Sequence, residues 1–171
     1  YDEPSWPDFY NDLWIMDSDG SNRVCLTCDR DDIPQLYIGQ PAWHPSGRWI
    51  ILQMEKDAAY DPADSHMYPG TYVANPGGGV NNDLWLLDLE DTSFHRLTDY
   101  PTKRSLLDPQ PFTGVLHPHF SPDGGQVLYG YMFSGGEDFG LWRMQLADFD
   151  SAADTIIQVD SFCCEDYDVT W

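Results

Sequence analysis

Positive charge is scarce in this sequence. Eight lysines and arginines stand against 29 aspartates and glutamates in 171 residues, a net charge of −21. A surface this anionic repels phosphate backbones, so nucleic-acid binding is excluded as an expected function. It suits basic partners, cations or a salty medium, but plain solubility is the favoured account of it. No apolar run is long enough to cross a bilayer, and no signal peptide is visible. The chain opens on Tyr1 rather than Met, which reads as a processed or trimmed end. Catalytic signatures are missing too. There is no Gly-X-Ser-X-Gly elbow, and Gly77-Gly78-Gly79 is followed by neither Lys-Ser/Thr nor a helix, so it is no phosphate cradle.

What the chain does contain is a repeat. Gln40-Pro-Ala-Trp-His-Pro-Ser-Gly-Arg-Trp-Ile-Ile-Leu-Gln53 returns as His117-Pro-His-Phe-Ser-Pro-Asp-Gly-Gly-Gln-Val-Leu-Tyr129. Each copy reads as a short strand, a Pro-X-Gly reversal and an apolar strand, since Pro presets φ for a turn and Gly accepts the positive φ that leaves it. Each has a companion upstream: Asn11-Asp-Leu-Trp-Ile-Met-Asp17 and Asn82-Asp-Leu-Trp-Leu-Leu-Asp88, with a weaker third in Phe139-Gly-Leu-Trp-Arg-Met144. Trp14 to Trp43 spans 29 residues, Trp85 to Phe120 spans 35, and Trp142 to Trp171 again 29. A unit of roughly 50–70 residues with four short strands is the pattern of propeller blades. The companions are apolar on both faces, as expected for strands packed between neighbouring sheets. The expectation is an all-β protein.

Asp12-Leu-Trp-Ile-Met-Asp-Ser-Asp-Gly-Ser-Asn22, Arg23-Val-Cys-Leu-Thr27 and Pro41-Ala-Trp-His-Pro-Ser-Gly47 resemble the TolB-type β-propeller repeat. The second copy, with Arg96-Leu-Thr98 and Phe120-Ser-Pro-Asp-Gly124, is closer still to that pattern. The resemblance covers most of residues 1–171 outside an insertion at about 54–82. It implies four-stranded antiparallel blades: two full ones near 41–98 and 118–159, and two partial ones at about 12–27 and 167–171. Because rings of this type take six to eight blades, the segment is expected to belong to a larger propeller or to close with a second copy. It says little about activity, because such propellers serve as scaffolds, binding modules and, less often, enzymes.

The four cysteines stand as Cys25-Leu-Thr-Cys28 and the adjacent Cys163-Cys164. A thioredoxin-like role needs a βαβ context, which is lacking, and a four-cysteine zinc site needs pairs that the repeat holds two blades apart. Disulfides within each pair are the expectation, with free thiols as the alternative. A bond between Cys163 and Cys164 is the strained one. Disulfides point to an extracellular or periplasmic location.

Asp17-Ser-Asp-Gly-Ser-Asn22 has its Gly too early for a calcium loop and reads as a turn between strands. The 54–82 insertion carries Asp57, Asp61, Asp64 and His66, which could hold a divalent cation or simply be solvated; residues 99–116 form a second long connection. His117 and His119, two apart on a strand, are expected to share a face and are candidate ligands for a divalent metal ion. His-X-His before Phe-Ser-Pro-Asp-Gly resembles the metal-bearing blade of oligogalacturonate lyases, which use a TolB-like propeller and a manganese-type ion. Here the second His lies nearer the turn. Aligning Trp43, Phe120 and Trp171 places Gln40, His117 and Asp168 at one repeat position, three residues before each anchor and, in a propeller, at the channel mouth. The chain therefore reads as an extracytoplasmic binding or scaffold module whose partners are proteins, small ligands or further blades. A metal-dependent polysaccharide lyase is the alternative.

Overall fold

A computed structural model describes residues 11–34, 38–55, 82–101, 112–134 and 141–163. Every regular element among them is a strand: β1 (Trp14–Ile15), β2 (Val24–Cys25), β3 (Gly39–Trp43), β4 (Trp49–Glu55), β5 (Asn82–Asp88), β6 (Ser93–Arg96), β7 (Phe112–Phe120), β8 (Gln126–Ser134), β9 (Leu141–Asp150) and β10 (Thr155–Cys163). They form a two-stranded hairpin, β1-β2, and two four-stranded antiparallel meanders, β3-β4-β5-β6 and β7-β8-β9-β10. The all-β expectation is met. Some boundaries differ from the sequence reading. Residues 112–116 are strand rather than connection, pairing with Gly130–Ser134, and β10 runs on to Cys163. A bulge after Leu116 conceals the continuity of β7 in the sequence. The 54–82 insertion is narrower as well, because Met54, Glu55 and Asn82 are paired strand residues; residues 56–81 and the strand expected at 167–171 lie outside the described residues.

Strand β4 shows why the layers stack. All seven of its residues are buried, and so are all of β5 except half-buried Trp85. Their side chains alternate between two cores. Trp49, Ile51, Leu84 and Leu86 pack with Val115, Val127, Tyr129 and Ala147 of the second meander. Ile50, Leu52, Met54 and Leu87 pack on the other side with Leu13, Ile33 and Ile38 from the N-terminal part of the chain. Each fully buried aliphatic side chain contributes roughly 1.5–3 kcal/mol, so a strand apolar on both faces is stable only between two layers.

The Asp-Leu-Trp and Leu-Thr halves of the repeat are tied by one hydrogen-bond device. Thr98 Oγ1 accepts from Leu84 N at 3.0 Å and donates to Asp83 Oδ1 at 2.7 Å. In the hairpin, Thr27 Oγ1 accepts from Leu13 N and donates to Asp12 Oδ1, both at 2.9 Å. Arg96 then closes on the fully buried Asp83 from the neighbouring strand. Cys25 holds the place of Arg96, one residue before Leu-Thr, and is bonded there to Cys28 with a Cα–Cα distance of 5.7 Å. A covalent clip stands in one copy where an ion pair stands in the next.

The Pro-X-Gly reversals are equally matched. Gly47 N donates to His44 O and Gly124 N to Ser121 O, both at 2.9 Å, and both glycines have φ of +77°. Their surroundings differ. A Cβ on Gly47 would meet nothing, whereas one on Gly124 would stand 2.6 Å from His44 Cε1 and closer still to Nε2. That ring comes from the first meander and lies edge-on to Trp49 and Phe120, where its Nε2 meets Gly124 O at 3.2 Å. We therefore expect Gly47→Ala to cost about 1 kcal/mol for left-handed backbone alone, and Gly124→Ala at least twice as much in urea denaturation. Equal losses would show that the His44 contact between the meanders does not form.

Candidate functional site

The two meanders meet along β3 and β7, and each of these strands carries the same irregularity. In β3 the register slips between Gly39 and Ala42, so that Gln40 and Pro41 together oppose Leu52 of β4. In β7 it slips between Leu116 and His119, so that His117 and Pro118 together oppose Tyr129 of β8. The first residue of each bulge is left-handed: Gln40 has φ of 50° and His117 of 51°. Such a conformation in a residue other than glycine costs on the order of 1–3 kcal/mol and persists only where surroundings hold it. Neither side chain is buried: His117 is exposed and Gln40 partly so.

The equivalent bulges bring these two residues into contact. Gln40 Oε1 accepts from His117 N at 2.6 Å, and Gln40 Nε2 lies 3.4 Å from His117 Nε2. The first bond fixes the amide, because a backbone N–H can only donate. The amide nitrogen therefore faces the ring, and a contact between two nitrogens is favourable only if the imidazole nitrogen accepts. Gln40 thus selects the tautomer with its proton on Nδ1. With Nε2 engaged, the ring offers an incoming ligand its Nδ1 edge.

His119 is exposed two residues on. The alternation on which a shared face with His117 rested is interrupted by the bulge at His117-Pro118, an irregularity that Pro in a strand accommodates. Asp168, the third member of the aligned position, lies outside the described residues, as do Cys164, Asp57, Asp61, Asp64 and His66. Of the cysteines, the structure pairs Cys25 with Cys28. Potential ligand atoms of Asp12, Cys25 and Cys28 lie within 4.8 Å of one another, but the disulfide occupies both sulfurs. The Asp17–Asn22 stretch is a turn between β1 and β2, with Gly20 N donating to Asp17 O at 2.8 Å.

Sequence reasoning missed a tyrosine cluster on the same interface. Tyr100 OH lies 3.1 Å from Tyr129 OH, and the Tyr100 ring stacks on Tyr131 with centroids 4.4 Å apart. Burial pushes the titration of Tyr100 and Tyr129 above that of a free phenol. The pair borders an open cavity of about 190 Å³ lined also by Leu97, Thr98, Asp99 and Ile156. Its one signal in the sequence is Tyr100 following Leu97-Thr-Asp99.

No protein-family model matches the chain, and no curated protein matches it either.

The tautomer is open to direct measurement. Nitrogen-15 spectra of the imidazoles at neutral pH should show His117 protonated on Nδ1, and Gln40→Ala should abolish that preference while speeding exchange of the His117 amide. A wild-type proton on Nε2 would contradict the contact.

Proposed function

We propose that the chain is a run of TolB-type propeller blades acting as an extracytoplasmic binding or scaffold module, and that it binds through the bulge residues of β3 and β7. One observation carries this reading. Gln40, partly exposed, and His117, exposed, are polar residues at equivalent left-handed bulges on touching strands. Neither side chain fills a core, and an amide and an imidazole held at one edge can hydrogen-bond a polar ligand. The stacking supports the propeller reading: the first meander is covered on one side by the second and on the other by the N-terminal part of the chain, through strands apolar on both faces. Further blades of the same kind are the partners this arrangement would accept. The Cys25–Cys28 pair fits an oxidising compartment, and no helix among the described residues is long and apolar enough to cross a membrane.

The lyase reading asks for His117 as a metal ligand. Gln40 engages its Nε2, which favours binding over metal catalysis. Screening the protein against arrays of basic peptides and of oligosaccharides, beside Gln40→Ala and His117→Ala, separates the two. Binding that both substitutions weaken at least tenfold, about 1.4 kcal/mol, is the expected result. Ligands held equally well by wild type and both variants would place the binding surface elsewhere. Stoichiometric manganese with cleavage of an acidic polysaccharide would establish the lyase instead.

A further inference from the structure

The end of β4 and the start of β5 carry a polar group that the binding reading does not use. Gln53 and Glu55 share parity with Ile51, and Asn82 shares it with Leu84 and Leu86. Those three aliphatic residues belong to the core between the meanders, so Gln53, Glu55 and Asn82 enter the same interlayer space. Glu55 and Asn82 are direct cross-strand partners, and Gln53 is one step back along β4 opposite Leu84. Direct partners have Cβ atoms about 5 Å apart and diagonal ones about 7 Å, within reach of side chains of this length.

The burial of this group is unusual. Gln53 and Asn82 are 0% exposed and Glu55 is 1% exposed. Among the described residues, neither the oxygen nor the nitrogen of the Gln53 amide has a hydrogen-bond partner, and the same holds for Asn82. Leaving a buried amide unsatisfied costs about 1–3 kcal/mol per group, and native proteins carry few such groups. Two on one face beside a carboxylate mark a place where something polar belongs.

We infer that Gln53, Glu55 and Asn82 form an interlayer site for an oxygen-seeking divalent cation, calcium by its chemistry. The carboxylate supplies negative charge and the two amide oxygens supply neutral hard donors, the mixture calcium accepts in irregular geometry. Magnesium demands a near-ideal octahedron, so it fits three donors whose positions are set by the β4–β5 pairing less well. Waters completing the ion's shell give the amide nitrogens their acceptors. A net charge of −21 raises the local concentration of any such cation. The ion would tie the end of β4 to the start of β5, and its site is independent of Gln40 and His117.

Thermal unfolding tests this in EDTA, in millimolar calcium chloride, and in sodium and magnesium chloride at equal ionic strength. Wild type should gain several degrees in calcium beyond the sodium control and little in magnesium. Gln53→Met with Asn82→Leu should lose that increment and be at least as stable as wild type in EDTA, because it removes the unsatisfied amides. Asn82→Asp, which keeps the shape and adds a carboxylate, should be less stable than wild type in EDTA and gain more from calcium. A calcium gain no larger than the sodium gain would overturn the site. So would an increment that survives intact in the apolar double variant, or one unchanged by Asn82→Asp.

Discussion

Burial of β4 and β5 on both faces is the constraint on which the rest of the structure depends. A strand with water on one side alternates polar and apolar residues, but Trp49-Ile-Ile-Leu52 and Leu84-Trp-Leu-Leu87 do not. Covering them requires a layer on each side, supplied by the second meander and by the N-terminal part of the chain. Once three layers are stacked, whatever lies at the β3 and β7 edges is forced together. That is how Gln40 and His117, 77 residues apart, come to share a hydrogen bond.

Within each layer the repeat works by substitution of parts around a fixed frame. The Thr-to-Asp hydrogen bond recurs in hairpin and meander, while the neighbouring clip changes from the Arg96–Asp83 ion pair to the Cys25–Cys28 disulfide. A second ion pair holds the turn of the first meander, where the Arg48 guanidinium keeps the Asp88 carboxyl below the usual carboxylate range. This contribution is present above the unfolded-state value and is lost as pH falls through the lower folded one. The second meander replaces it with a neutral-to-charged bond, Gln126 Nε2 to Asp148 Oδ1 at 3.0 Å. With so few cations, the chain places two of them, Arg48 and Arg96, on the buried carboxylates of Asp88 and Asp83.

Much of this was legible in the sequence because it follows from local chemistry. Pro-X-Gly gave both turns with their glycines at matching φ, and the doubly apolar companions gave the strands that lie between layers. The anchors Trp43 and Phe120 also gave the equivalence of Gln40 and His117. Their bulges were not legible, since a left-handed residue other than glycine leaves no compositional mark, and the bulge disturbs the alternation that put His117 and His119 on one face. Nor was the start of β7 at Phe112, whose pairing depends on β8. The Tyr100–Tyr129 pair and the buried amides of Gln53 and Asn82 depend on contacts between residues distant in sequence, which no periodicity encodes.

Nuclear Overhauser contacts in protein labelled at Ile, Leu and Val methyls test the stacking most directly. The account predicts cross-peaks linking Ile51, Leu84 and Leu86 of the first meander to Val115 and Val127 of the second, and a separate set linking Leu52 and Leu87 to Leu13 and Ile33. Methyl contacts confined within each meander would contradict it.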